Sequence, residues 1–273
     1  MVNAMTSSTP SAADLIRAVE KASSAQALVD AMRDLADAEL EEGIPIMIEA
    51  LSYNNPGAAV AAVDGLVALG DVVVPILLEQ IDGYNYTARA WGVRALASIG
   101  HPDAIETLLN TLETDFSMSV RRAAARGLGM LRWEELPQEA VESAQSRALA
   151  TLLPMTTDPE WIVRYATVVG LQALVIAVSP SRSDWHTQIY DCFATMDAND
   201  ESLAVRTRVR RAQQIISNFI KSQTEGPAGS VAPEWQNILE NLYQRKAQER
   251  PIEEGDPRRF KAVAATLSSV DKE

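Results

Sequence analysis

The residues best suited to chemistry in this chain are arginines interleaved with aromatic rings. Tyr84, Tyr86, Arg89, Trp91 and Arg94 form one cluster, and Arg121, Arg122 and Arg126 a second. Trp161, Arg164 and Tyr165 form a third, and Arg206, Arg208, Arg210 and Arg211 a fourth. A guanidinium fork pairs a carboxylate bidentately, and an aromatic face stacks on a conjugated ring. Such a set suits a large, flat, conjugated molecule bearing carboxylates. Signatures of other chemistries are missing: there is no glycine-rich phosphate loop, Cys-x-x-Cys pair, His-Glu-x-x-His or nucleophile elbow. Two histidines, His101 and His186, and one cysteine, Cys192, are too few for a typical zinc site, so no metal is expected. Cys192 reads as a small buried hydrophobe, and His101 as a residue that follows a helix end.

The elements that must position these side chains announce themselves by repetition. Asp82-Gly83-Tyr84-Asn85-Tyr86-Thr87-Ala88-Arg89-Ala90-Trp91 is a turn followed by a small-residue helix pattern that Gly100-His101-Pro102 closes. The phrase returns as Asp115-Phe116-Ser117-Met118-Ser119-Val120-Arg121-Arg122-Ala123-Ala124. Self-similarity at a spacing of roughly thirty to forty residues is the signature of a helical repeat array. With few hairpin dipeptides and glycine mostly at helix ends, the fold class is all-α: a right-handed α-solenoid of HEAT-like helix pairs with a C-terminal helical extension.

The expected organisation is an N-terminal helical cap over 1–40, a solenoid over 41–221, a linker over 222–232 and an extension over 233–273. The linker rests on Gln223-Thr224-Glu225-Gly226-Pro227-Ala228-Gly229-Ser230. Pro233 to Gln248 is an amphipathic helix with Trp235, Ile238, Leu239, Leu242 and Tyr243 on one stripe. Residues 132–145 and 179–184, with Pro137 and Pro180, read as loop insertions between units.

Aligning the units puts Leu66, Leu96, Leu128 and Leu171 in register, and likewise Arg89, Arg121, Arg164 and Arg206. These arginines either form a structural ladder with acids of the preceding turns, such as Asp82, Asp115, Asp158 and Glu201, or join a ligand-binding set. Arg94, Arg122, Arg126 and Arg208 stand outside the register and are the better ligand candidates. Ala90, Gly92, Ala95, Ala124, Gly127 and Ala166 let neighbouring helices approach closely.

Composition narrows the function classes. A chain of 273 residues that is 47% hydrophobic can bury a sizeable core. A net charge of −13 excludes a general nucleic-acid binder. Residues 119–132 nevertheless hold four arginines and no acid, and arginine outnumbers lysine 19 to 5. That bias favours recognition of discrete carboxylates over a smooth polyanion. Met1 to Pro10 is polar, and no run is expected to reach the roughly 18 apolar residues of a membrane span. Together with a lone cysteine, this predicts a cytoplasmic protein with no membrane insertion.

The segment Asp82-Gly83-Tyr84-Asn85-Tyr86 with Ala88-Arg89-Ala90-Trp91 resembles the bilin lyases of cyanobacterial phycobilisomes. So do the phrase from Ser119 to Gly129, Trp161-Ile162-Val163-Arg164-Tyr165-Ala166, and Gly255-Asp256-Pro257-Arg258-Arg259-Phe260. The likeness is drawn most strongly to the E-type subunit of the heterodimeric E/F-type phycocyanobilin lyase. It implies attachment of an open-chain tetrapyrrole to a cysteine of the phycocyanin alpha chain through a thioether. The acceptor then brings its own thiolate, which accounts for the missing nucleophile. Phycocyanobilin is the substrate, no cofactor is implied, and an F-type lyase subunit is the implied partner. The acidic N-terminal third and the 233–248 helix are the expected docking surfaces.

On this resemblance Arg94, Arg121, Arg122 and Arg126 pair the two propionates, and Arg89 and Arg164 complete the bilin-binding set. Tyr84, Tyr86, Trp91 and Trp161 flank the rings. Asp82 or Asp115 contacts the pyrrole nitrogens or supplies a proton. Three further readings stand beside this one: a lyase-isomerase subunit for phycoerythrocyanin, a phycobilisome-degradation factor, and a protein-binding scaffold.

Overall fold

The computed structural model describes residues 10–80, 85–178 and 182–225. Two compact units divide the chain, Met1–Lys221 and Ser222–Glu273. The first consists of successive helix pairs. They are α1 (Ala12–Glu20) with α2 (Ala25–Asp37), α3 (Ile44–Ala50) with α4 (Pro56–Leu69), and α5 (Val74–Gln80) with α6 (Tyr86–Ile99). Next come α7 (Ile105–Thr114) with α8 (Met118–Gly129), α9 (Gln138–Leu152) with α10 (Trp161–Ala177), and α11 (Ser183–Asn199) with α12 (Leu203–Glu225). Among the described residues there is no strand.

The second helices form one layer, in which α2 packs on α4, α4 on α6, α6 on α8 and α8 on α10. Each repeat thus buries its apolar face on its neighbours, as a solenoid requires. Leu66, Leu96, Leu128 and Leu171, the leucines in register, are all fully buried between the layers. Segment 1–40 contributes the pair α1 and α2, with α2 packed on α4 as any later second helix is.

Local chemistry places the helix ends. Ser11 and Asp14 form a capping box at the start of α1. The Asn55 side chain accepts the Ala58 amide at 3.1 Å, and that of Asn85 accepts Thr87 and Ala88, each at 3.1 Å. Gly100 ends α6 with φ of 74°, a conformation costly for any residue with a Cβ. Its carbonyl accepts the Arg132 amide at 2.8 Å, tying that turn to the segment after α8.

Three expectations are revised. Residues 138–145 are helix, not loop, because Pro137 stops the preceding segment and Val141, Ala144, Gln145, Ala148 and Leu149 then repeat at helical spacing toward the core. Pro56–Gln80 has the length and mean hydropathy, 2.1, of a membrane span, so such a run does exist. Gly70, at φ 71°, ends α4 within it, and Ala62, Leu66, Val73 and Leu77 from both sides of that break are core. Finally, α12 continues through 222–225, the start of the expected linker, because Gly226 and Pro227 are the first residues there that disfavour helix. The 233–248 helix and the Gly-Asp-Pro-Arg-Arg-Phe segment lie outside the described residues.

Candidate functional site

The arginine ladder sets the register of everything beside it. Arg89 Nε donates to Asp115 Oδ2 at 2.6 Å. Arg121 grips Asp158 with Nε and Nη2 at 2.9 and 3.1 Å, and Arg164 grips Asp200 with the same atoms at 2.7 and 3.0 Å. Each arginine therefore reaches forward to the aspartate of the following unit, and Arg121 and Arg164 do so in place of the aspartate of their own turn. What it takes from its own turn is backbone: Arg121 Nη1 donates to the carbonyls of Asp115 and Phe116, and Arg164 Nη1 to those of Asp158 and Pro159. The aspartates cap in return, since Oδ1 of Asp115, Asp158 and Asp200 accepts the amide two residues on at 2.8 Å in all three cases.

This geometry commits Asp115 to the ladder. Its side chain is 7% exposed, and its oxygens are taken by Arg89 and the Ser117 amide. Both of its oxygens are engaged, and Arg89, Arg121 and Arg164 are likewise engaged in holding repeats together. Asp82 and Tyr84 lie outside the described residues.

The open face of the second-helix layer is made by other positions. Three residues before each ladder arginine stands the first residue of the helix: Tyr86, Met118, Trp161 and Leu203, with 59%, 48%, 47% and 65% of their surface exposed. Four and eight residues further, on the same helical face, come Ala90 and Arg94, Arg122 and Arg126, Tyr165 and Val169, and Thr207 and Arg211. The face changes character along the layer. On α6 and α8 it carries Arg94, Arg122 and Arg126, all exposed and without an ion pair among the described residues. On α10 it carries Trp161, Tyr165 and Val169 and no charge.

Trp91 is half-buried, with the Arg94 guanidinium 5.2 Å from its ring centre. Phe116, 79% exposed, lies beside the row with Arg89 5.7 Å from its ring centre. Tyr86, Trp161, Arg94, Arg122 and Arg126 are among the residues expected from the sequence, whereas Met118, Leu203 and Phe116 are not. The signal for Met118 and Leu203 was the constant offset of three residues before the ladder arginine.

Other candidates have simpler explanations. Asp71, His101 and Glu135 bring ligand atoms within 4.8 Å of one another. Arg132 sits among them, paired with Asp71 and, at 2.8 Å, with Glu135, and it holds the Asp71 carboxyl below its ordinary range. The cluster thus carries its own counter-ion. His101 Nδ1 accepts the Asp103 amide at 3.1 Å, capping a short 3₁₀ turn. Burial pushes the Cys192 thiol up, which disfavours a reactive thiolate. A cleft of about 270 Å³ lined by Pro45, Ile48, Leu51, Leu77, Ala88 and Gly92 falls short of the usual range of ligand pockets.

The chain matches the family profile of HEAT repeats over residues 74–172. It is 49% identical over 274 residues to the phycocyanobilin lyase subunit beta of Pseudanabaena tenuis, spanning 94% of this chain and 97% of that protein. It is 52% identical over 166 residues to the phycocyanin alpha phycocyanobilin lyase CpcF of Synechocystis sp., covering 61% of this chain and 78% of the relative. Among solved structures, the complex of CpcE and CpcF of phycocyanin lyase from Nostoc sp. contains a chain that is 47% identical, with a TM-score of 0.58. That match covers 63% of this chain and 98% of the other. The likeness thus runs to relatives named beta or CpcF, where the sequence phrases alone had suggested the E-type subunit. The two readings share the repeat, and at 49% identity over nearly the full length of a beta subunit, the chain belongs to the phycocyanobilin lyase family.

Proposed function

We propose that this chain is the F-type, beta subunit of a heterodimeric phycocyanobilin lyase. With an E-type subunit it attaches phycocyanobilin through a thioether to a cysteine of the phycocyanin alpha chain. The observation that carries this reading is the 49% identity that spans 97% of a relative bearing the beta-subunit name. The partner expected from the sequence, an F-type subunit, accordingly becomes an E-type one.

The open face of the second-helix layer fits the task. The acceptor protein supplies the thiolate, which adds to the reactive side chain of the bilin A ring as a proton joins the conjugated system. The lyase has to hold an extended chromophore in one orientation and keep other nucleophiles away. Trp161, Tyr165 and Tyr86 offer ring faces, and Arg94, Arg122 and Arg126 offer guanidinium groups free to take propionates. Held geometry of this kind lowers a barrier by several kcal/mol without any nucleophile from the enzyme.

Co-expression tests the reading. Phycocyanin alpha chain and the phycocyanobilin biosynthetic enzymes are produced with this chain, an E-type subunit, both or neither. Covalent bilin is then read by zinc fluorescence and acid-denatured absorbance. Attachment only with both subunits is the expected result; attachment by the E-type subunit alone sinks the proposal. A shifted chromophore spectrum identifies a lyase-isomerase instead.

A further inference from the structure

The arginines of the second-helix layer are of two kinds. Arg89, Arg121 and Arg164 each own an aspartate, whereas among the described residues Arg208 has no carboxylate at all. Arg208 lies on α12, half-buried against α10. Its Nη2 donates to Gln172 Oε1 at 2.8 Å, while Nη1 is shut off from solvent with no hydrogen-bond partner. The exposed ring of Tyr165 has its centre 6.0 Å from the guanidinium carbon. Burial, and to a lesser degree the like charge of Arg211, hold the Arg208 pKa below its usual range, with Tyr165 acting in the opposite sense. A desolvated cation with an unused donor is costly to keep, and such groups concentrate where a ligand completes them.

We propose that Arg208 anchors a carboxylate of the conjugated ligand received by the exposed rings of Trp161 and Tyr165. This deepens the bilin-binding reading above and rests on it. The α10 face carries rings but no charge, so an acid stacked there must find its cation on a neighbouring helix. Arg122 of α8 stands on one side of that face and Arg208 of α12 on the other, which suits a dicarboxylate whose two acid arms straddle α10. The side-chain oxygen of Gln172 already occupies an acceptor position on the guanidinium. A carboxylate in its place accepts from both Nη atoms and satisfies the orphaned one.

The test uses purified protein with its E-type subunit, titrated by absorbance with phycocyanobilin and with its dimethyl ester, which lacks the charged arms. Arg208→Gln is expected to weaken binding of the free acid about tenfold and to leave the ester unchanged. Gln172→Glu puts a carboxylate on Arg208 from within the chain. It is expected to raise the melting temperature by a few degrees while weakening the free acid by a similar factor. Loss of affinity in a stabilised variant cannot come from misfolding. Arg208→Gln acting equally on acid and ester, or on neither, overturns the proposal, as does full acid affinity in Gln172→Glu. A wild-type protein that binds neither probe removes the lyase reading, and the anchor with it.

Discussion

At the scale of single residues, the aspartates of the ladder explain the cohesion of neighbouring units. Asp200 is the clearest case, its side chain 5% exposed and its oxygens taken by Arg164 and the Ser202 amide. Burial alone would raise its pKa, but the Arg164 guanidinium and the Ser202 amide outweigh it and hold the carboxyl below the usual range. A depressed pKa means the folded state favours the charged form. The stabilisation is therefore present above the unfolded value of about 3.9 and is lost as pH falls through the lower folded value. Asp200→Asn leaves a buried guanidinium short of its partner and is expected to cost about 3–5 kcal/mol at pH 7. Urea midpoints should show a constant gap between wild type and variant above about pH 5, narrowing below about pH 4. A gap that stays constant as pH falls below about 4 would refute the ion-pair account.

At the scale of elements, the spacing between second helices governs the face they present. A Cβ on Gly129 would lie 2.0 Å from the Gly170 carbonyl oxygen, and one on Gly170 would lie 2.2 Å from that of Ala125. The backbones of α8 and α10 thus meet through glycine, which brings the arginines of one helix next to the rings of the other. Gly129→Ala forces them apart, because backbone cannot yield as a flexible side chain does. The expected cost is about 1–3 kcal/mol, read as a lower melting temperature by circular dichroism, with a drop in bilin attachment. The ladder has an end as well: Arg206 Nε is buried without a hydrogen-bond partner at the last rung of the first unit, where the described chain offers no further aspartate.

At the scale of the whole molecule, cohesion and ligand capture use separate sets of arginines. Arg89, Arg121 and Arg164 face the next repeat, while Arg122 and Arg126 face solvent. Replacing both Arg122 and Arg126 by Gln should leave the melting temperature within about a degree, since exposed residues without ion pairs contribute little to stability. The same double variant should slow bilin attachment about tenfold or more in the two-subunit co-expression assay. Undiminished attachment would move the binding surface away from α8.

The sequence by itself determined the class of fold, the register of the units, and several of the side chains exposed on the second-helix layer. Helical period, capping residues and the recurrent Asp-to-Arg phrase are local properties, legible from spacing alone. Tyr86, Trp161, Arg94, Arg122 and Arg126 could be picked out because aromatic rings and arginines are interleaved on the second helices, and the last three stand outside the arginine register. Only the tertiary structure decided which acid each arginine meets. Arg121 and Asp158 are 37 positions apart, and whether a guanidinium turns back to its own turn or forward to the next depends on how far one helix pair rises over another. It also decided that Asp115 belongs to the ladder and that, among the described residues, Arg208 meets no carboxylate and lies beside the Tyr165 ring. Those facts belong to pairs of helices, and no single stretch of sequence contains them.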